Sequence, residues 1–329
     1  MLILTADDVK KALPMQEAIE AMKRAYASLS DGKAEVPLRT RLSVPPQEAV
    51  SLFMPAYVQA QGGDALAVKV VSLFPNNPGR GLAFIQAAVL VLEADTGQTA
   101  AVLEGSSLTA IRTGAGSGAA IDLLARPNSK VVAVFGAGAQ GRTQLEAACS
   151  VRKIEAAWVF DPSAERAEAF VEEMAGMGSI PKDLRVANKP EQAVSEADIV
   201  CTATTSTTPV FADSDLKLGA HVSAIGSYTP EMQEVPAETV ARALAVVDSR
   251  SATLAETGDL LQPMQAGLFG EEHIYAELGE IVLGRKAGRQ SSDQITYFKS
   301  VGVAVQDAMA AQLALQNARQ LGLGVEVDF

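Results

Sequence analysis

Residues 131–141, VVAVFGAGAQG, constrain this chain more than any other stretch. Five apolar residues, Val131 to Phe135, run into Gly136, Gly138 and Gly141, and a helical segment, RTQLEAACSV, follows. A G-x-G-x-x-G run between a strand and a helix is the phosphate-binding turn of a βαβ unit. Gly136 permits the tight turn, Gly138 leaves room for a pyrophosphate, and Gly141 allows the helix to pack closely on its strand. The N–H groups and dipole at the helix start favour phosphate there. A second apolar run, AAWVFD, ends at Asp161, 20 residues beyond Gly141. An acid at that distance accepts hydrogen bonds from the adenosine ribose hydroxyls.

The flanking pattern agrees with that turn. Apolar strands are predicted at 131–135, 156–160, 184–187, 198–203, 220–225 and 244–248. Helical segments fall around 141–151, 163–176, 190–196, 213–217 and 236–243. Such alternation predicts a doubly wound parallel sheet. Upstream, residues 7–31 carry helical periodicity, and strands are predicted at 36–44, 49–54, 65–74 and 82–93. The turn signals PPQE, QGGD, PNNPGRG and EADTG separate them. Residues 106–125 return to helical period and stop at Arg126-Pro127-Asn128. An Ala-rich helix at 302–321 closes the chain and is expected to rejoin the first unit. The expected fold class is α/β: a Rossmann doubly wound parallel sheet plus a discontinuous α+β domain. The boundaries are 1–125 with 300–329, and 126–299.

Composition narrows the partners. The 329 residues suffice for two domains, and 48% hydrophobic with 20% charged residues is globular. A net charge of −12 argues against nucleic acid or an anionic membrane surface as partner. No window approaches 18 uninterrupted apolar residues, and MLILTADDVKKAL does not read as a signal peptide. Cys149 and Cys201 sit in apolar context and read as buried thiols, consistent with the cytoplasm. His221 and His273 lack metal-ligand spacing, so no metal is expected. The strands at 36–93 have few helices to cover both faces, which predicts a homodimer.

Four basic residues have apolar or small neighbours. Arg39 and Arg41 lie in VPLRTRLSV, on one face if that segment is a strand. Lys69 lies inside ALAVKVVSLF, where a lysine is costly unless paired or used. Arg112 opens IRTGAGSGAA, and an arginine fork suits a carboxylate or phosphate. Solvated arginines or a structural ion pair are the simpler readings.

These segments resemble the ornithine cyclodeaminase/mu-crystallin family. The matching pieces include VPLRT, FMPAY, LAVKVVSLFPNNP, TAIRTGAGSGAA, VFGAGAQG, GAHVSAIGSYTPEMQEV, ETGD and TYFKSVGVAVQD. The resemblance implies a Rossmann domain for NAD(P), a substrate-binding and dimerisation domain, and a small amino or imino acid as substrate. It implies that Lys69, Arg112 and Arg39 act on the substrate carboxylate, with Arg41 as the alternative to Arg39. Gly138, Ala139, Gln140 and Asp161 match cofactor positions, as does Arg112. Thr202 and Ile225 match positions beside the adenosine and nicotinamide halves, and Ser300 and Val301 lie near the nicotinamide. NAD(H) is the preferred cofactor, with NADP(H) second, because Arg166 stands five residues after Asp161.

One position departs from the cyclodeaminases. They carry an aspartate where this chain has Tyr228, and the nearby acids are Glu231 and Glu234. The resemblance therefore implies an imino acid (ketimine) reductase or amino acid dehydrogenase, with Tyr228 in the substrate pocket. The alternatives are the redox-neutral lyase, ornithine cyclodeaminase, and a non-catalytic protein that binds NAD(P)H and a carboxylate ligand.

Overall fold

The computed structural model describes residues 1–60 and 63–328. Gln61 and Gly62 of the expected QGGD turn lie outside them. The chain divides into two compact units, Met1–Arg112 with Val303–Phe329, and Thr113–Gly302.

The first unit begins with β1 (Leu2–Leu4), α1 (Ala6–Ala12) and α2 (Met15–Ser30). The single helical stretch expected at 7–31 is two helices, because Pro14 sits at the break and starts the second one. Next come β2 (Ala34–Glu35) and β3 (Thr40–Val44). The strand expected at 36–44 is thus interrupted around Pro37, and Arg39 precedes β3 while Arg41 lies on it. The two arginines do not share one strand face as the sequence suggested.

The strands β4 (Ala49–Val58), β5 (Ala65–Leu73), β6 (Ile85–Leu92) and β7 (Thr99–Glu104) follow as an antiparallel run. β4 continues past the expected end at 54, through Pro55. It can do so because β3 pairs with Ala49–Phe53 and β2 with Tyr57–Val58. Pro55 falls in the gap between them, so its missing N–H breaks no ladder bond. The helix α3 (Gly105–Leu124) then runs from the first unit into the second. The sequence places the junction after residue 125, whereas contacts divide the helix at Arg112/Thr113. The reason lies in its two halves: Arg112 reaches Gln306 and Asp307, while Ile121 and Ala125 join the core of the second unit.

The second unit is built on β8 (Val131–Phe135), α4 (Ala139–Val151), β9 (Ala156–Phe160), α5 (Ala164–Met174), β10 (Leu184–Val186), α6 (Pro190–Val194) and β11 (Ile199–Thr202). It continues through β12 (His221–Ala224), α7 (Ala237–Arg242), β13 (Leu244–Val247), α8 (Arg250–Glu256), α9 (Gly258–Gln265), β14 (Ile274–Glu277), α10 (Leu278–Val282) and β15 (Thr296–Lys299). The helix expected at 213–217 is a single 3₁₀ turn, Asp213–Asp215. All eight strands are parallel, in the order β10-β9-β8-β11-β12-β15-β13-β14. Val132 and Val134 face one core cluster, and Ala133 and Phe135 the other, so both sheet faces are buried. The order reverses between β8 and β11, where ligands of open α/β sheets bind beyond the strand ends.

The chain then returns to the first unit as α11 (Ala304–Leu321) and β16 (Val325–Glu326). Its sheet runs β16-β1-β7-β6-β5-β4-β2, with β3 paired to β4. Across β4, β5 and β6, Met54, Lys69 and Val89 form one row of the buried face, and Ala56, Ala67 and Val91 the next. The opposite face carries the rows Phe53–Val70–Ala88, Pro55–Val68–Leu90 and Tyr57–Leu66–Leu92. These side chains stay half-buried or exposed. Among the described residues no helix is long and apolar enough to cross a membrane.

Candidate active site

The second unit holds a cavity of about 850 Å³ at the switch point, lined among others by Gly136, Gly138, Asp161, Ser163, Arg166 and Thr204. Gly136 has φ +101°, and a Cβ there would lie 2.5 Å from the Ala203 carbonyl oxygen. At Gly141 a Cβ would meet the Gly136 carbonyl oxygen at 2.1 Å. Nothing lies within 4 Å of the space a Gly138 Cβ would occupy. The turn is therefore closed on its protein side and open at the one glycine that a ligand's phosphates approach. Gly138 caps α4, whose first residues are Ala139 and Gln140. Arg142 locks the turn from behind, donating to the carbonyls of Ala137 at 2.7 Å and Gly138 at 3.2 Å.

Asp161, at the end of β9, accepts from the N–H of Ala137 at 2.9 Å and of Ser163 at 2.9 Å. Its carboxylate is held in the cavity wall, and the exposed Arg166 lines the same space. The buried Gln140 Oε1 and Thr202 Oγ1 have no partner among the described residues. The N–H of Ile225 donates to the Thr202 carbonyl at 3.0 Å, so these two sequence-predicted positions are neighbours at the ends of β11 and β12. An open glycine cradle, a fixed acid and orphaned polar atoms fit a bound dinucleotide.

Buried carboxylates organise the rest of this rim. Asp248 Oδ2 accepts from Ser300 Oγ at 2.7 Å and from the N–H groups of Val301 and Gly302 at 3.0 and 2.8 Å. It thereby fixes Ser300 and Val301 at the end of β15, and burial pushes its own carboxyl up. Glu234 is fully buried. Its Oε1 accepts from Thr204 N (2.6 Å) and Oγ1 (2.9 Å), and its Oε2 from Gly226 N (2.6 Å) and Ser227 N (3.1 Å). The loops that follow β11 and β12 are thus tied together. Asp259 supports the arrangement, accepting from Glu234 N at 2.7 Å and pairing with buried Lys299 at 2.9 Å. Tyr228 is 38% exposed, and partial burial pushes its phenol up, which keeps it neutral. Glu231 is exposed. The sequence offered Glu231 or Glu234 as stand-ins for the acid absent at Tyr228; Glu234, with four donors on it, is already saturated.

The first unit gathers the cations. Lys69 Nζ lies 2.7 Å from Asp307 Oδ2, with side-chain exposures of 2% and 1%. Arg112 Nε lies 2.9 Å from Asp307 Oδ1, and its Nη1 donates to Gln306 Oε1 at 3.0 Å. Gln306 in turn donates to the Tyr26 hydroxyl at 2.7 Å. Burial is the main force that drives the Lys69 ammonium down to about 8, with Arg112 and Arg39 adding to it and Asp307 opposing. Arg39 is half-buried and near enough for its charge to act on Lys69; Arg41 is exposed on β3. Sequence reasoning gave Asp307 and Gln306 no role, although they end the family-matching segment TYFKSVGVAVQD. Their own signal is a polar pair inside the apolar start of the last helix, VAVQDAMAA.

The doubly wound parallel sheet and its glycine turn define a Rossmann-type dinucleotide-binding protein. The chain belongs to the ornithine cyclodeaminase/mu-crystallin family, whose model matches residues 1–321. It is 40% identical over 330 residues to a Δ1-pyrroline-2-carboxylate reductase of Bacillus cereus, covering 100% of both chains. Among solved structures, it resembles Thermococcus litoralis Δ1-pyrroline-2-carboxylate reductase in complex with NADH and L-proline. The TM-score is 0.93 at 42% identity, covering 99% of this chain and 100% of that one. An archaeal alanine dehydrogenase dimer with bound NAD matches with a TM-score of 0.91 at 32% identity, covering 100% and 99%.

The Glu234 clamp has a measurable consequence. Glu234→Gln replaces one carboxylate oxygen by an NH2 group, so that two of the four donors, Thr204 N and Oγ1 or Gly226 N and Ser227 N, lose their acceptor. It should cost on the order of 2–4 kcal/mol of stability. Urea unfolding of the variant checks this; a midpoint equal to that of the wild type would show that the loops do not depend on the carboxylate.

Proposed function

We propose that this protein is an NAD(H)-dependent imino acid (ketimine) reductase, or an amino acid dehydrogenase using the same chemistry. The reaction is hydride transfer to a C=N carbon next to a carboxylate, as in Δ1-pyrroline-2-carboxylate to proline, or 2-oxo acid plus amine to amino acid. The observation that carries this reading is the charge balance of the first unit: Lys69 and Arg112, both buried, share the carboxylate of Asp307. A surplus of positive charge in a dry site suits one small carboxylate. The full-length identity to the Bacillus cereus reductase and the NADH and L-proline of the Thermococcus litoralis structure support it.

In this reading Lys69, Arg112 and Arg39 orient the carboxylate, with Arg41 the alternative to Arg39. Arg112 presents its Nη2 end, since Asp307 and Gln306 take Nε and Nη1. Lys69 also delivers the proton, because an ammonium held at about 8 sits close to neutral pH. Gly136, Gly138, Ala139, Gln140 and Gly141 hold the pyrophosphate, Asp161 the ribose diol, and Thr202 and Ile225 the adenosine and nicotinamide sides. Ser300 and Val301, fixed by Asp248, lie beside the nicotinamide, and Tyr228 beside the substrate. When bound, the reduced nicotinamide supplies the hydride. Asp161 disfavours a 2′-phosphate, while Arg166 in the same cavity leaves NADP(H) as the weaker second cofactor.

The assembly in this reading is a homodimer, joined through the outward rows of β4, β5 and β6; the matching archaeal alanine dehydrogenase is a dimer. The compartment is the cytoplasm, which two free buried thiols suit.

Three measurements follow. With Δ1-pyrroline-2-carboxylate, NADH consumption should be saturable, and Lys69→Ala or Arg112→Ala should fold yet lose on the order of 2–4 kcal/mol in kcat/KM. Near-wild-type kinetics in either variant would put the carboxylate elsewhere, and stoichiometric proline and ammonia from ornithine with catalytic NAD would mean a redox-neutral lyase. NADH should exceed NADPH in kcat/KM by at least tenfold, about 1.4 kcal/mol; the reverse ratio would remove the role given to Asp161. Light scattering at micromolar concentration should give twice the 34.3 kDa of one chain, and a monomer would refute the interface.

A further inference from the structure

We propose that Asp307 is the positioning residue of the carboxylate site: it keeps Lys69 in its ammonium form and sets the orientation of the Arg112 fork. This rests on the reductase reading for its kinetic consequences, though not for its electrostatic ones.

The geometry points to it in three ways. First, Asp307 splits its two oxygens between the two cations, Oδ2 at 2.7 Å from Lys69 Nζ and Oδ1 at 2.9 Å from Arg112 Nε. Second, the site offers Lys69 little else. Its neighbours across the sheet are Met54 on β4 and Val89 on β6, both apolar. The charged groups acting on it are Asp307 from α11, Arg112 from α3 and Arg39 from the segment before β3. Two of these three are cations, which repel an ammonium. Of the three, Asp307 favours the charged form. Third, the preceding residue on the helix completes the grip. Gln306 Oε1 accepts from Arg112 Nη1 at 3.0 Å and from the N–H of Val303 at 2.9 Å, while its amide donates to Tyr26. One turn of α11 therefore accepts a hydrogen bond from Arg112 Nη1 and sets a carboxylate 2.9 Å from its Nε. In the proposed reading the Nη2 end meets the ligand.

A residue that only filled space would affect rate and stability equally at every pH. A residue that holds a proton on Lys69 would not. Lys69 in the folded protein already loses its proton below the ordinary lysine value, so its burial costs stability while it is charged. That cost is full below the folded value and fades between it and the ordinary lysine value. Without Asp307 the folded value drops further, so the cost grows at low pH, and the extra loss vanishes above the folded value of the wild type.

The test is Asp307→Asn, compared with the wild type across about pH 6 to 9. With Δ1-pyrroline-2-carboxylate and NADH, the alkaline limb of kcat/KM should move at least one pH unit to acid. At pH 8 the variant should be at least fivefold slower, and part of the deficit should be recovered toward pH 6. In thermal unfolding without substrate or cofactor, its deficit in Tm should be greatest at pH 6 and narrow toward pH 9. A variant unfolded at pH 7 and folded at pH 9 would support the proposal by the same logic. An unmoved limb with only a lower plateau, a Tm deficit constant with pH, or a chain unfolded at both values would overturn it. If the wild type reduces no imino acid, the functional reading fails, and the pH dependence of Tm still decides the role of Asp307.

Discussion

An ammonium group between Met54 and Val89 requires a counter-charge, and much of the first unit follows from that requirement. The partner is supplied not by the strands around Lys69 but by residue 307, after the whole second unit has been traversed. This is a physical reason for the chain to return. The terminal helix α11 packs against β4, β5 and β6, and its first turn delivers Asp307 and Gln306 to the cations. Removing the acid alone would strand two buried cations, a loss of several kcal/mol in systems of this kind. The discontinuity of the domain and the charge of the site are thus one fact.

In the second unit, carboxylates do a different job. Asp161, Glu234 and Asp248 each accept from backbone N–H groups just beyond the C-terminal ends of strands, and Asp259 holds the N–H of Glu234 in turn. Parallel strands stop there without ladder partners, and the first three acids satisfy the freed donors. The same ends form the rim of a ligand cleft in doubly wound sheets. Acids that close the backbone at this rim also fix it, so a bound dinucleotide meets loops that are already ordered.

The Rossmann unit was largely legible in the sequence, and the reason is local. The strands at 131–135 and 156–160 match the observed β8 and β9 because a buried parallel strand is a continuous apolar run bounded by turn residues. The last part of that sheet was not legible. β14 and β15 are short and follow irregular segments, and β15 enters the sheet between β12 and β13, a placement no local pattern encodes. In the first unit, Pro14 and Pro37 break elements whose apolar periodicity alone reads as continuous. Among site residues, Lys69 stood out because a lysine within an apolar strand is anomalous by itself. Asp307 and Gln306 did not, since polar residues in a first helical turn are ordinary caps. Their importance is visible only once the strand that they face is known.

The distribution of acids also bears on which chemistry the second unit can support. Glu234 is sealed by four donors, Asp248 by four, and Asp259 by Lys299 and two N–H groups. Glu231 is exposed, and Tyr228, where the family resemblance implies an acid in cyclodeaminases, has a phenol that remains neutral at physiological pH. In the proposed reading none of the buried carboxylates of this segment takes a proton from a substrate amine. Reduction of a C=N bond has no such requirement. It needs an anchored carboxylate, a hydride and one proton, and in the proposed mechanism the first and last come from the Lys69–Arg112–Asp307 group. In that reading a phenol rather than an acid at Tyr228 supplies no base and leaves the clamp intact, which favours the simpler reaction.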